Sequence, residues 1–190
     1  GQALVAAGRT ADAMALAERL EHEATDPRDY PLRATSLLVR ATVEWWAGDA
    51  ARANAFAKGA RALLHGAADP YLEYLAAMTI GVTARSRGQL EEAMGSLQDA
   101  LSMAERDGDA YRRSGALYQL SNLFLMLKQP QNALDASRRA FHFAELAGST
   151  PGMVNARMAE SAALEVLDDP VRELAAMEEA LALARKSRSQ

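Results

Sequence analysis

The feature that most constrains this chain is an internal repeat with a period of 40 residues. One series with this spacing comprises Gly8, Gly48, Gly88, Lys128 and Asp168. A second series comprises Pro31, Tyr71, Tyr111 and Pro151. Such regularity predicts an architecture in which each repeat packs mainly on its neighbours instead of around one central core.

Each series precedes or opens a set of helical segments. The more apolar segments, which we term A helices, are predicted over Pro31–Ala47, Tyr71–Arg87, Tyr111–Leu127 and Pro151–Leu167. The polar, alanine-rich segments, termed B helices, are predicted over Arg9–Glu23, Asp49–Leu64, Gln89–Arg106, Gln129–Leu146 and Asp169–Lys186. Glycine between an A and a B helix allows the positive φ that ends a helix tightly. We therefore expect the turns at Lys128 and Asp168 to differ from the others.

The composition agrees with close packing of helices and argues against a large sheet. Hydrophobic residues make up 49% of the chain but aromatic residues only 6%, and alanine and leucine dominate the apolar set. Small residues recur where each A helix should cross its own B helix, at Ala41, Gly81, Ser121 and Ser161. The short turns between A and B helices predict antiparallel hairpins.

The pattern of residue types is fullest in the third repeat, at Leu117, Leu120, Ser121, Phe124, Lys128, Ala133, Ser137, Ala140 and Phe141. The second repeat matches it at Ala77, Ile80, Gly81, Ala84, Gly88, Ala93, Leu97, Ala100 and Leu101. This spacing resembles the tetratricopeptide (TPR) repeat. The period of 40 is similar to that of maltose-type bacterial transcription activators, kinesin light chains and the sensor regions of bacterial diguanylate cyclases.

The resemblance implies an all-α, right-handed superhelical solenoid of antiparallel hairpins with about nine helices. It would form a single TPR-like domain over 1–190, with a half repeat at 1–30 and full repeats at 31–70, 71–110, 111–150 and 151–190. The half repeat would begin with the end of an A helix at Gln2–Ala7. Because the pattern opens within a repeat, we interpret the chain as a fragment of a larger protein.

No constellation of residues indicates catalysis, a metal site or a cofactor. The three histidines, His22, His65 and His142, lack partners at metal-ligand spacing, and no phosphate-binding loop or HExxH motif is present. The chain has no cysteine and a formal net charge of −4 without a basic stripe. These features predict a cytoplasmic, non-enzymatic protein that binds neither nucleic acid nor membranes.

In TPR superhelices the A helices line a concave face that contacts partners. Carried onto this sequence residue by residue, the resemblance predicts a partner-binding surface of Leu38, Thr42, Trp45, Met78, Val82, Arg85, Tyr118, Asn122, Asn155 and Met158. Many of these side chains are apolar, which is typical of an adaptable recognition surface. Packing against the next A helix is the alternative interpretation for Leu38, Met78 and Met158.

The leading functional hypothesis is a protein–protein interaction or regulatory scaffold with a protein or peptide in the concave groove. The resemblance implies the sensor or interaction region of a bacterial signalling protein, such as a GGDEF-type diguanylate cyclase or a transcription regulator. One alternative is a sensor of a small ligand, a sugar or metabolite, for which Trp45, Arg85, Tyr118 and Asn122 are suitable residue types. Another is a module that forms homodimers.

Overall fold

The computed structural model describes residues 2–64 and 69–188. Within these residues the chain is all α-helical apart from its turns and a single 3-10 turn at Pro27–Asp29. Nine helices follow one another: α1 Gln2–Glu23, α2 Tyr30–Trp46, α3 Ala50–Leu64, α4 Pro70–Ser86, α5 Leu90–Arg106, α6 Ala110–Met126, α7 Pro130–Leu146, α8 Thr150–Val166 and α9 Pro170–Arg188. Every predicted helix end outside α1 lies within one or two residues of the observed one.

The first helix differs from its prediction. A turn was expected at Gly8, but α1 runs without a break from Gln2 to Glu23. Glycine inside a helix costs only about 1 kcal/mol relative to alanine, so one glycine does not by itself end a helix. The predicted end of an A helix at Gln2–Ala7 is therefore wrong, because these residues belong to the same helix as Arg9–Glu23. His65 and the predicted loop residues 66–68 lie outside the described residues.

The turns between A and B helices all share one backbone conformation. Gly48 and Gly88 have φ values of 88° and 72°, and Lys128 and Asp168 have 58° and 57°. The hydrogen bonds repeat as well, since the N–H groups of residues 49, 89, 129 and 169 each donate to a carbonyl five residues earlier. The expectation that the turns at Lys128 and Asp168 differ is therefore wrong. The hydrogen bonds of the turn accompany the left-handed conformation there, which costs about 1–2 kcal/mol for a residue with a Cβ.

The turns between B and A helices also repeat every 40 residues, and three of the A helices begin with a side-chain cap. Asp69, Asp109 and Ser149 accept hydrogen bonds from the backbone N–H groups of Leu72, Arg112 and Gly152. These bonds satisfy donors that have no partner within the helix. At Asp109, the backbone N–H and then the side chain of Arg112 lower the pKa of the carboxyl group.

The chain divides into two compact units, Gly1–Ala100 and Leu101–Gln190. In the first unit, α2 packs on α1, α3 and α4. Its core consists of Ala34, Leu38, Ala60, Leu64, Leu72 and Ala76, with a smaller cluster of Ala41, Ala57 and Ile80. The predicted small residue at Gly81 is buried against Leu97, so α4 and α5 approach closely there.

The second unit contains the end of α5 and the helices α6 to α9. One cluster joins Leu117, Ala140 and Ala156, and another joins Ala133, Leu134, Ala163, Leu164 and Ala176. At the predicted crossing of α6 and α7, the Ser121 hydroxyl is fully buried and donates to the carbonyl oxygen of Ala133 at 2.8 Å. A serine is tolerated in this tight position because its hydroxyl finds an acceptor on the facing helix.

We expect Gly81→Ala to destabilise the protein by about 1–3 kcal/mol, because overpacking forces neighbouring groups apart. An added Cβ would lie 2.6 Å from Cγ of Leu97 and 2.7 Å from its Cδ2. The matched control is Gly95→Ala, since a Cβ at Gly95 meets nothing within 4 Å. Because alanine favours the helix, the control should gain about 0.5–1 kcal/mol. Urea denaturation measures both, and equal stabilities would contradict the close contact.

We expect Asp109→Ala to lose about 1 kcal/mol of stability at about pH 7, which is typical for an N-cap. The pKa of Asp109 is lowered in the folded protein, so its carboxylate contributes stability above the unfolded pKa. This contribution falls as the pH drops through the lowered pKa. The difference between wild type and variant should therefore shrink at about pH 3.

Denaturation midpoints at both pH values test the role of Asp109. Asp135, exposed on α7, supplies the control. Asp135→Ala should change stability by no more than about 0.5 kcal/mol at either pH. An Asp109→Ala deficit that is as large in acid as at neutral pH would contradict a role for the carboxylate charge.

Candidate functional site

A shallow groove in the first unit brings together four of the ten predicted site residues. Thr42 and Trp45 of α2 lie on one side, and Met78, Thr79, Val82 and Thr83 of α4 lie on the other. We term this surface the α2–α4 groove. Its volume is about 160 Å³. The spacings of three and four residues place these side chains on one face of each helix.

The α2–α4 groove presents mainly apolar atoms, although three of its six residues are threonines. Thr42 donates its hydroxyl to the carbonyl oxygen of Leu38 at 2.9 Å, and Thr79 donates to that of Leu75 at 2.8 Å. Thr83 donates to the carbonyl oxygen of Thr79 at 2.7 Å. Because each hydroxyl has an acceptor on its own helix, none needs a partner from a ligand.

A buried amide fixes the position of α4 beneath the α2–α4 groove. Asn54 of α3 is almost fully buried, and its Nδ2 donates to Oγ1 of Thr83 at 2.9 Å and to the carbonyl oxygen of Ile80 at 3.3 Å. Asn54, Thr79 and Thr83 were not among the residues predicted from the sequence. Asn54 could have been noticed from the repeat, because it is a polar residue where the positions 40, 80 and 120 residues later hold Met94, Leu134 and Leu174.

Two predicted residues of the first unit lie outside the lining of this groove. Leu38 belongs to the core, where it packs with Leu72 and Ala76 of the next A helix. Its place in the predicted partner surface is therefore wrong, and the alternative interpretation of packing between A helices holds for it. Arg85 is half-buried in the last turn of α4.

Trp45 and Trp46 have different environments, as expected for neighbours on a helix. Trp45 is half-buried and lines the α2–α4 groove, whereas Trp46 is 60% exposed. Successive side chains on a helix point about 100° apart, so both cannot face the same surface. This difference makes Trp45 the aromatic side chain that a molecule in the groove would contact.

In the second unit the predicted residues occupy different environments. Tyr118 and Asn122 lie one turn apart on α6 and are half-buried, and Tyr118 packs against the cluster of Leu117, Ala140 and Ala156. Met158 on α8 is 61% exposed. Asn155 lines a separate depression of about 260 Å³ formed with the end of α9, together with Thr150, Pro151, Val154, Ala184 and Ser187.

The charged clusters of the two units are paired internally. In the first unit, Lys58 pairs with Glu92 and Arg61 with Asp99 beside a depression of about 310 Å³. In the second unit, the buried Glu160 accepts from Arg138 and Arg157, and the Arg157 guanidinium lies 3.7 Å from the ring centre of Phe141. Most of these contacts link one helix to another. They explain the presence of these charged residues without any bound ligand.

The described residues hold neither a metal-binding cluster nor a membrane-spanning helix. Residues 2–64 and 69–188 contain no group of three or more His, Asp or Glu side chains placed to hold a metal ion. None of the helices in these ranges combines the length and the apolar character that crossing a membrane requires.

Comparison with known proteins gives matches in structure. No protein-family model matches the chain, and no curated protein matches it in sequence. The structure of BtubC (BKLC) from P. vanneervenii matches with a TM-score of 0.77 and 16% identity, over 95% of this chain and 74% of that one. The kinesin light chain TPR-like repeats of Podosopora anserina match with a TM-score of 0.72 and 15% identity, over 97% and 91%.

A third match is aspartyl phosphate phosphatase F from Bacillus subtilis, with a TM-score of 0.73 and 14% identity. It covers 85% of this chain and 44% of the phosphatase. At such identities these matches establish the fold and nothing finer. The described part of the chain is an all-α array of sequential helix hairpins, and its fold is that of the TPR-like solenoids.

Proposed function

We propose that this chain is a non-catalytic interaction scaffold whose α2–α4 groove receives an apolar side chain of a partner protein or peptide. The proposal rests on the groove itself. Trp45, Met78 and Val82 line it, and its threonine hydroxyls donate to carbonyl oxygens of their own helices. Apolar grooves between helices commonly bind extended or helical peptides through such anchors. The TPR-like fold supports this proposal by analogy only.

The dimensions of the α2–α4 groove favour a side-chain anchor over a whole metabolite. Ligand pockets typically measure about 300–1,000 Å³ and place several polar groups around the ligand. The groove measures about 160 Å³, and its threonine hydroxyls already have acceptors. The threonines would therefore offer a sugar hydrogen-bond acceptors but no free donor. The alternative of a small-ligand sensor is therefore less well supported than peptide binding.

The resemblance to sensor regions of bacterial diguanylate cyclases and to maltose-type activators suggests a cytoplasmic signalling protein. In such a protein the scaffold would pass partner binding to an output domain. Tyr118, Asn122, Asn155 and Met158 remain proposed contacts in the second unit, and Arg85 remains one in the first.

We expect an apolar anchor peptide to change the fluorescence of Trp45. In a Trp46→Phe background Trp45 is the sole tryptophan, because the chain has two. The probe is a set of synthetic peptides with a single leucine, methionine or phenylalanine among polar residues. Val82→Arg fills the groove with a charged side chain and should weaken binding at least about tenfold, which corresponds to about 1.4 kcal/mol.

The matched control for this titration is Ser86→Arg, one turn further along α4 at an exposed position outside the groove lining. It should bind as wild type does. Equal affinity for the Val82→Arg and Ser86→Arg variants would refute the groove as the binding site. Binding of free sugars, but not peptides, would support the metabolite sensor instead.

Solution mass across a wide range of protein concentration separates partner binding from self-association. We expect the wild type and a Tyr118→Ala, Asn122→Ala double variant to remain monomeric. A wild type that dimerises, together with a double variant that does not, would favour the homodimerisation module. Sedimentation equilibrium makes this distinction without any knowledge of the partner.

A further inference from the structure

The B helices α3 and α7 each have a face that the next A helix covers. On α3 this face includes Asn54, Ala57 and Leu64, which are buried against Ile80, Thr83, Leu72 and Ala76 of α4. On α7 the equivalent residues are Leu134, Ser137 and Ala144, all buried. Leu134 packs with Ala163 of α8. The 40-residue comparison therefore identifies one face of a B helix as a helix-binding surface.

On α9 the positions equivalent to Leu134 and Ser137 both carry large apolar side chains, and both are exposed. Leu174 and Met177 correspond to Leu134 and Ser137, and they are 58% and 53% exposed. Leu181 corresponds to the half-buried Phe141 of α7 and is 51% exposed. We term the surface of Leu174, Met177 and Leu181 the α9 face. Its residues recur at spacings of three and four, so they form one stripe along the helix.

Charge at the border of the α9 face differs from charge at the α7 interface. Arg138 of α7 donates its Nε hydrogen to Oε1 of Glu160 on α8 at 2.9 Å. The residue 40 positions after Arg138 is Glu178, which is exposed. A helix that docked on α9 as α8 docks on α7 would thus meet a carboxylate at the place of a guanidinium. The complementary occupant carries lysine or arginine where α8 carries Glu160.

We propose that the α9 face binds an amphipathic helix of a partner protein, docked on α9 as α8 docks on α7. The partner helix presents a stripe of small residues, as α8 does with Ala156 and Ala163, and a basic residue opposite Glu178. Small residues let the two backbones approach, so that Leu174 and Leu181 reach across the interface. This site goes beyond the proposed function, because it involves none of the residues of the α2–α4 groove.

The probe is a fluorescently labelled synthetic peptide with the sequence of residues 149–167 and the change Glu160→Lys. We expect saturable binding to the protein by fluorescence anisotropy. The peptide that retains Glu160 should bind at least about threefold more weakly, because it brings two carboxylates together. Leu174→Glu with Leu181→Glu should abolish binding. The control is Leu146→Glu, which places a single carboxylate at another leucine that is exposed, at the end of α7.

Charge exchange separates specific docking from a general loss of structure. In the Glu178→Lys protein, the preference between the two peptides should invert. Three results would each overturn the proposal. They are a lack of saturable binding, binding that survives Leu174→Glu with Leu181→Glu, and an unchanged preference in Glu178→Lys. Sedimentation that shows wild type associating with itself through this face would also overturn it, since the occupant would then be a second copy. Because Trp45 titrations report the other site, failure here leaves the groove result intact.

Discussion

The close approach of paired helices is the constraint on which the rest of the structure depends. At Gly81, α4 lies so near Leu97 that even one added carbon would collide with it. At Ser121, a hydroxyl bonds the backbone of the facing helix. Alanines with no exposed surface fill much of the remaining interface, and such residues lose little conformational entropy on burial. Stability therefore comes from many shallow, well-fitted contacts between neighbours and not from a few large side chains.

The sequence predicted this architecture well because the same physical requirement recurs every 40 residues. The caps at Asp69, Asp109 and Ser149 and the turns at Gly48 and Gly88 all fall at fixed positions in the repeat. Two failures concern glycine. A glycine does not end a helix at Gly8, and Lys128 needs no glycine to adopt a left-handed turn. The local preference is only about 1 kcal/mol against glycine within a helix and about 1–2 kcal/mol against a left-handed residue with a Cβ, so neither preference alone decides the backbone.

The candidate site was less predictable, because helix periodicity shows which way a side chain points but not how deeply it is buried. Leu38 and Thr42 lie one turn apart on α2, yet Leu38 is buried in the core while Thr42 is exposed beside the α2–α4 groove. The distance between neighbouring A helices decides which residue of a row is covered, and no residue type encodes that distance. Asn54 escaped attention for a related reason, since a buried amide shows its role only when its two acceptors are known.

Asn54 has a further consequence for how similar repeats find their correct neighbours. In a chain of near-equivalent hairpins, a B helix can in principle pair with the wrong A helix during folding. The amide of Asn54 needs two acceptors, and Ile80 and Thr83 supply them only when α3 meets α4 in the observed alignment. A pairing that lacks such acceptors would bury an unsatisfied polar group, at a cost of about 1–3 kcal/mol. One polar residue in an apolar interface thus favours the observed order of the repeats over others.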